Sequence, residues 1–391
     1  MAHYDASTLV NAAYSQVTGQ TAVTALSIED IIDQGVESSL FENSAEQFTK
    51  ALIEVCTKWL FTDGMFAEGS DDPYYVDEKR FGSITSIISI EAPEVKENSA
   101  WQAFTSGTSK VGQYTVVIPQ IENRLYSKLS SWALPITITK EQWDPACPDA
   151  AHLEQLVDFI IVAVENAITQ HRMDMNNANR NTFMAAKVAA QAAIGNTGIH
   201  VIELRSAYNA ARGKSIATKE AFLADPDAMR WASKTIMLYK DYLMQQSVKF
   251  NTAGKVKFVP RDRLVLEVNT GFLYSLEEVA LSGTFHDDMV ALDGFRKVPY
   301  WQAESDADSA LDFTATTTIS VKFDKDTTVT QSGIVAFMAD KYAILHTIKK
   351  QRVAVTEFPI EDLTYTEYQF VDAYMNNLDL PAIVFTLEDP A

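Results

Sequence analysis

The sequence is short of the residues that several classes of protein need. Its 391 residues include only two cysteines, Cys56 and Cys147, and these form neither a CxxC motif nor a disulfide framework. Such cysteine usage is typical of a reducing compartment. The first residues, MAHYDASTLVNAAY, contain neither a basic segment nor an apolar core. We therefore expect no secretory signal peptide.

Positive charge is also scarce, since 32 Lys and Arg face 52 Asp and Glu and the formal net charge is −20. Phosphate contacts need clustered Lys and Arg, so the composition argues against general nucleic-acid binding and against binding an anionic membrane. The most apolar helical pattern contains Asp158 and Glu165, which argues against a membrane span. With 47% apolar and 21% charged residues, the chain is expected to be globular, with two or three subdomains.

Motifs for catalysis and for metal binding are missing as well. The sequence contains no HExxH, no GxSxG, and no two of its six histidines at i and i+4. Residues 212–215 (RGKS) resemble the end of a phosphate-binding loop. That motif needs a glycine where Tyr208 stands, and it follows a strand, so an exposed basic turn is the simpler interpretation. We predict no catalytic residues, no cofactor or cofactor-binding residues, and no metal site.

A few other polar residues have both a functional and a structural interpretation. His171 lies on the apolar face of a predicted helix and is interpreted as a packed or interfacial side chain, not a ligand. Residues 286–288 (HDD) suit a metal or an acid–base pair, but a loop that caps a helix is simpler. The acidic residues of 306–312 lack the Gly and Glu of an EF-hand, so a solvated turn is expected. Cys56 is expected to be a small buried apolar residue.

The strongest positive pattern predicts a long helix over 149–192. From Leu153 to Met175, apolar residues recur at three- and four-residue steps, which is the spacing of one helix face. Asp149 follows a proline and is the expected N-cap. No Gly or Pro occurs between Asp149 and Gly195, and the Asn-rich residues 176–179 are where we expect any loosening or kink. Other elements are expected to lie across this helix.

Around the long helix, the pattern predicts an α+β chain. Residues 1–44 are weakly patterned and are interpreted as an extended arm. Pro119 and Pro135 fall inside predicted strands and indicate sheet edges. The remaining predicted helices are 44–61, 199–213, 219–246 and 270–281, and residues 225–227 (DPD) are expected to open the second of two helical pieces within 219–246. The predicted strands are 84–90, 114–121, 133–139, 255–260, 263–269, 290–301, 316–324, 333–337, 342–345, 351–358 and 381–387.

Many aromatic residues lie on predicted turns and strand ends, where contact surfaces use them. They are Tyr74, Tyr75, Trp101, Trp132, Trp143, Tyr300 and Trp301. Most are expected to belong to the core. With many contact elements and no candidate active site, the residues predict an interaction or structural protein.

In this order, the segments resemble a tailed-bacteriophage major capsid protein with the Hong Kong 97-like fold. The most specific similarity is local. Residues 264–269 (LVLEVN) followed by 294–301 (GFRKVPYW) resemble an axial-domain strand, helix and "Val-Pro" strand. Residues 333–344 resemble a late β pair, and 381–384 (PAIV) resemble the closing strand. The resemblance covers nearly the whole chain as an order of elements.

The resemblance implies an order of domains. It implies an N-terminal arm (1–44), the N-terminal helix and turn of a peripheral domain (45–79), an extended β loop (80–142), a spine helix with peripheral domain (143–198), an axial domain (199–350) and return strands of the peripheral domain (351–391).

The resemblance also implies a function and its partners. Copies would assemble through pentamers and hexamers into an icosahedral head around double-stranded DNA, made in the host cytoplasm and found in the virion. Separate scaffold and portal proteins are implied partners, whereas sequence-specific DNA contacts, a membrane and enzymatic activity are not.

Some family members crosslink a loop lysine to a neighbour's asparagine, and Lys96 and Lys110 lie in the corresponding loop. No Asn or Glu can be matched to them, so solvated lysines are the simpler interpretation. Two other functions stay open. One is an encapsulin-like nanocompartment shell, which would hold a cargo enzyme. The other is an acidic α+β enzyme, which would be a small oligomer with a deep pocket lined by perturbed titratable groups.

Overall fold

The computed structural model describes residues 73–75, 85–90, 121–126, 129–139, 150–194, 198–282, 294–302, 313–323, 327–358 and 363–389. Several sequence predictions lie outside these residues. They concern the arm 1–44, the helix 44–61, Pro119, both cysteines, Lys96, Lys110, and the acidic segments 286–288 and 306–312.

Helices and strands are mixed throughout the described residues, which confirms the α+β prediction. The helices are α1 (Ala150–Ile194), α2 (Leu204–Arg212), α3 (Lys219–Ala224), α4 (Pro226–Met244), α5 (Thr270–Ser282) and α6 (Phe313–Thr316). The strands are β1 (Thr85–Ile90), β2 (Ile121–Tyr126), β3 (Ser130–Thr139), β4 (Val201–Glu203), β5 (Leu264–Asn269), β6 (Arg296–Val298), β7 (Ile319–Lys322), β8 (Thr328–Gln331), β9 (Ile334–Asp340), β10 (Ile344–Phe358), β11 (Leu363–Asn376) and β12 (Ala382–Thr386).

The long helix is confirmed, and α1 contains 45 residues. At 1.5 Å per residue it is about 68 Å long. The helix continues through the Asn-rich residues 176–179. Its buried positions include Val164 and Ile168, which follow the predicted spacing.

The described residues divide into two compact units, and α1 contributes to both. The first unit takes the described residues within 1–80, 129–176 and 346–374. It contains a three-stranded antiparallel sheet in the order β10-β11-β3. Alternate residues of β11 from Thr366 to Asp372 are buried, and this face packs on α1 through Phe370 and Trp132. Pro135 lies in β3 at the edge of the sheet, as predicted.

The second unit takes the described residues within 81–128, 177–345 and 375–391. Its main sheet has five strands in the order β4-β12-β9-β5-β6, with parallel pairs at both edges and antiparallel pairs between them. Every residue of the central strand β9 is buried. One face packs on α2 to α5, and the other meets α1 through an edge contact between Phe337 and Phe183 with ring centroids 6.0 Å apart. The central strand is therefore covered on both faces.

Local signals explain where the helices on this sheet begin and end. Asp225 caps α4, since its Oδ1 accepts hydrogen bonds from the backbone of Asp227 (2.9 Å) and Ala228 (3.3 Å). Thr218 caps α3 in the same way through Ala221, at 3.2 Å. Gly213 ends α2 in the left-handed conformation, with φ of 62°. These caps fix the helices that cover one face of the sheet.

Two antiparallel ribbons complete the description. Strands β1 and β2 pair over six residues, from Thr85 opposite Tyr126 to Ile90 opposite Ile121. Strands β7 and β8 form a shorter pair. Of the predicted strand 114–121, only Ile121 lies within the described residues, and it begins β2; the rest of β2 was not predicted.

Several other predictions of elements need correction. Residues 255–260 form no strand and contribute only an isolated bridge at Lys257. The predicted helix 199–213 begins as strand β4, because Val384 of β12 donates its backbone N–H to His200 (2.9 Å) and starts a parallel pairing there. The predicted strands 342–345 and 351–358 are one strand, β10. Strands β8 and β11 were not predicted.

Candidate functional site

Three basic side chains of α1 are buried in the two units. Arg172 belongs to the first unit, whereas Arg180 and Lys187 belong to the second. Because an unpaired charge is costly to bury, the partners of each side chain show what holds α1 to each sheet. Arg172 is the candidate functional position of the first unit, and Arg180 and Lys187 are those of the second.

In the first unit, Arg172 lies next to a buried carboxylate of β11. Its Nε is 3.7 Å from Oδ2 of Asp372, and the Asp372 side chain is fully buried. The guanidinium also lies over the rings of Phe370 (5.4 Å) and Trp132 (6.0 Å). Trp132 Nε1 donates a hydrogen bond to the same Oδ2 at 3.0 Å. One carboxylate therefore joins α1 to two strands of the sheet.

His346 of β10 lies at the edge of this cluster. Its Nε2 is 4.0 Å from Oδ2 of Asp372, and its ring stacks on Tyr374 with centroids 4.7 Å apart. The backbone N–H of His346 donates to the carbonyl of Tyr74 at 3.1 Å. Thus all three strands of the sheet and residues 73–75 meet at one group of polar and aromatic side chains.

In the second unit, Arg180 lies next to Glu267 of β5, which is fully buried. Nη1 of Arg180 donates to Oε1 of Glu267 at 3.4 Å, and Nη1 of Arg296 approaches the same oxygen at 3.4 Å. The Arg180 guanidinium lies over the Trp301 ring, 5.0 Å from its centroid. The two guanidinium groups on this one buried carboxylate join α1 to β5 and β6.

Asn181, which follows Arg180 on α1, contacts the segment that contains Trp301. Asn181 Nδ2 donates to the carbonyl of Trp301 at 2.6 Å, and Trp301 Nε1 donates to the carbonyl of Ile334 at 2.8 Å. Trp301 is fully buried. The segment after β6 is therefore anchored both to α1 and to β9.

Lys187 is held differently, by backbone carbonyls. Its Nζ donates to the carbonyls of Leu378 (2.8 Å) and Leu380 (3.2 Å), in the turn between β11 and β12. Burial lowers the pKa of Lys187 to about 7; Asp379 opposes this shift and Lys257 adds to it. The ammonium therefore titrates near neutral pH.

His200 is buried close to this lysine. Burial and, to a smaller extent, the charge of Lys187 together lower the pKa of His200 to about 4. Neither ring nitrogen has a hydrogen-bond partner among the described residues. The backbone around it is fixed, since Gln191 Oε1 accepts from the backbone N–H of His200 at 2.7 Å. The imidazole is therefore neutral at neutral pH.

These contacts join secondary-structure elements. Arg172, Arg180 and Lys187 each contact groups of the neighbouring strands or turns. In the ranges that the structure describes, no group of three or more His, Cys, Asp or Glu side chains is placed to hold a metal ion. The arrangement can fix α1 against each sheet through directional contacts.

The structure places the residues singled out by sequence as follows. Residues 212–215 lie at the C-terminal end of α2, where Gly213 is left-handed and Lys214 lies 3.9 Å from Asp225. Phosphates bind at helix N-termini, so the resemblance to a phosphate-binding loop is superficial. His171 packs on Trp132 with ring centroids 4.3 Å apart, which confirms its interpretation as a packed residue.

Sequence reasoning missed the three basic residues of α1. Each interrupts the apolar spacing, and its partner is far along the chain, 191 residues away for Lys187 and Leu378. The available signal was their spacing of eight and seven residues, which keeps them near one face of a helix.

Within the described part of the chain, no helix is long and apolar enough to cross a membrane.

No family model and no curated relative matches this chain. Its fold is one that occurs in bacteriophage particles. It is similar to a chain in a structure of the head fiber and inner core protein gp22 of native bacteriophage P68, with 12% sequence identity and a TM-score of 0.50 over 81% of this chain and 83% of that chain.

Two further structures are similar at lower scores. The capsid of Staphylococcus phage Andhra gives 10% identity and a TM-score of 0.48 over 82% of this chain and 84% of that chain. The mature capsid of bacteriophage PhiM1 gives 11% identity and a TM-score of 0.42 over 80% of this chain and 84% of that chain.

Proposed function

We propose that this chain is the major capsid protein of a tailed bacteriophage, with a structural and not a catalytic role. It self-assembles through pentamers and hexamers into an icosahedral head that encloses double-stranded DNA. The observation that carries the proposal is the fold shared with the bacteriophage P68 chain over about four fifths of both chains. The order of sequence segments supports the same conclusion independently.

The domains that the sequence predicts are part of this proposal. Residues 1–44 are the arm, 80–142 the extended β loop, and 143–198 the spine helix with peripheral domain. The antiparallel pairing of β1 with β2 supports a two-stranded loop. The proposed axial domain, 199–350, supplies four strands of the five-stranded sheet, and β12 from the closing segment supplies the fifth.

The buried contacts of α1 suit a shell protein. A shell subunit contacts neighbours on several sides, so the elements that form its interfaces must keep fixed positions relative to one another. Directional ion pairs such as that of Arg180 with Glu267 supply this fixity. Copies related by rotation then close into rings.

The partners follow from the same proposal. The chain is a homo-oligomer in the virion, assembled in the host cytoplasm with separate scaffold and portal proteins. It needs no cofactor and no membrane. The net charge of −20 suits a wall that contains DNA without binding it tightly.

The test is size-exclusion chromatography and negative-stain electron microscopy of the expressed protein, alone and with a crowding agent. We expect closed shells, tubes or capsomer rings tens of nanometres across. Shells that carry a cargo enzyme and no DNA would favour a nanocompartment instead. A protein that stays monomeric at high concentration with crowding agent would contradict the proposal.

Deletion of residues 1–44 tests the proposed arm. Because this segment has little apolar pattern of its own, the truncated chain is expected to melt cooperatively but to assemble less well than the full chain. Loss of the cooperative transition would show that these residues belong to a folded core.

A further inference from the structure

Positive charge is concentrated in one part of this acidic chain. Residues 230–263 contain eight Lys and Arg and only two Asp, a formal charge of +6, in a protein whose net charge is −20. This segment comprises most of α4 and the chain that follows it to β5. Lys234, Lys249 and Arg261 within it are exposed.

The same segment has an exposed apolar surface, which we call the 238–258 ridge. Its members are Leu238 (46% exposed), Tyr242 (46%), Val248 (46%), Val256 (56%) and Phe258 (51%). These large apolar side chains lie in a short stretch of chain instead of being scattered singly. Contiguous apolar surface with a polar rim is typical of protein contact sites.

Backbone contacts hold the ridge together. Leu238 and Tyr242 are one turn apart on α4. The antiparallel bridge between Ser247 and Lys257 puts Val248 opposite Val256. The backbone N–H of Val259 donates to the carbonyl of Leu243 at 2.9 Å, which ties this turn to the end of α4.

The ridge is also anchored to the core. Tyr239 contacts Tyr242 edge-on, with ring centroids 5.6 Å apart, and its ring also meets Phe250 and Phe385. A surface held in this way needs little ordering when a partner binds, which favours association.

We propose that the 238–258 ridge, with the exposed Lys234, Lys249 and Arg261 as its basic rim, docks an acidic surface of a second copy of this chain. The inference rests on the proposed function and names one of its contact surfaces. Outside 230–263, the chain has a formal charge of −26, so identical copies repel one another except where this segment meets acidic surface. The ridge therefore lies in the positively charged segment, which is attracted to the acidic remainder of a second copy.

The apolar side chains favour a protein partner over nucleic acid. Burying a Val, Leu or Phe side chain fully contributes about 1.5–3 kcal/mol, and about half of each ridge side chain is still available for burial. A phosphate backbone would contact the lysines but leave Val256 and Phe258 in water. An acidic protein surface with apolar residues would contact the lysines and also bury the apolar side chains of the ridge.

Two double variants test the ridge, and each has a matched control. Val256→Ser with Phe258→Ser removes apolar surface, and Lys234→Glu with Lys249→Glu reverses charge. The controls are Met173→Ser with Phe323→Ser, and Lys322→Glu with Lys350→Glu, which change exposed residues of the same kind elsewhere. Thermal melting confirms that each variant is folded.

Sedimentation velocity gives the protein concentration at which half of the chain is assembled. We expect both ridge variants to raise that concentration at least tenfold and both controls to change it less than twofold. Added NaCl should weaken wild-type assembly and have little effect on the charge-reversed variant, since salt screens the lysines.

Each other outcome overturns the inference in a recognisable way. If wild type assembles and the ridge variants assemble equally well, the ridge is not an interface, although the proposed function stands. If wild type never assembles, both fail. If Lys234→Glu with Lys249→Glu abolishes binding to duplex DNA in fluorescence anisotropy but leaves assembly unchanged, the rim binds nucleic acid instead of a second copy.

Discussion

Arg172 and Lys187 come from the same helix and are almost equally buried, at 6% and 0% exposure, but each unit neutralises its cation differently. In the first unit, Arg172 faces the full charge of Asp372 and two aromatic rings. In the second unit, Lys187 donates to the neutral carbonyls of Leu378 and Leu380.

The difference lies in what each contact depends on. The contact of Arg172 depends on one charged partner, because Asp372 supplies the counter-charge to a buried guanidinium. Lys187 donates two hydrogen bonds to neutral carbonyls, which supply no counter-charge. Burial therefore lowers its pKa to about 7. The contact of Arg172 is therefore sensitive to loss of its carboxylate partner, and the contact of Lys187 is sensitive to pH.

The largest expected effect is that of Asp372→Ala. This change leaves the Arg172 guanidinium buried without its counter-charge and removes the acceptor of Trp132 Nε1. The expected loss is about 3–5 kcal/mol of the free energy of unfolding. Urea unfolding followed by circular dichroism measures it.

The control is Glu367→Ala, on the same strand but half-buried, with an expected loss below about 1 kcal/mol. Replacing Arg172 and Asp372 together with leucine should recover most of the stability, since no unpaired charge remains. A loss below about 1 kcal/mol for Asp372→Ala itself would show that the pair contributes little.

The next effect is the pH dependence that Lys187 produces. The lowered pKa of Lys187 means that the unfolded chain binds a proton that the folded chain has lost between pH 7 and 10.5. Stability therefore rises with pH in this window, by about 2 kcal/mol between pH 7 and 9. Lys187→Met should lack this rise, measured as the difference between the two proteins at each pH.

Lys240→Met, at a half-buried lysine of α4, is the matched control and should keep the rise of the wild type. Equal slopes for wild type and Lys187→Met would mean that Lys187 does not titrate near neutral pH.

The smallest effect concerns His200. Its lowered pKa keeps the imidazole neutral in the folded protein, whereas the unfolded chain takes up a proton below pH 6.5. Stability is therefore lost as the pH falls from 6.5 towards 4, by about 1 kcal/mol between pH 7 and 5.5. His200→Leu should abolish this part of the acid sensitivity in urea unfolding. Unchanged acid sensitivity in the variant would contradict the assignment.

The elements that sequence predicted well are those whose pattern is local. Helix α1 has a long apolar spacing with no Gly or Pro, and α4 has Asp225 and Pro226 at its start. Pro135 marks an edge strand because it cannot donate to a ladder. These features need no knowledge of a distant partner.

The elements that sequence missed depend on distant partners. Strand β11 has Thr366 and Asp372 on its buried face and Tyr365 and Val371 on the other, so its polarity does not alternate. Strand β4 is only three residues long and exists because β12 pairs with it. The buried Arg172, Arg180 and Lys187 were hidden for the same reason, since only the folded chain supplies their partners.

The shared helix has a consequence for how the protein melts. Helix α1 contributes core residues to both units. If either unit unfolded, the part of α1 that packs in that unit would lose its packing partners. The exposed part would leave several apolar side chains in water, which makes a half-melted species unfavourable. The two units should therefore share one heat-absorption peak in calorimetry, with the van't Hoff enthalpy close to the calorimetric enthalpy.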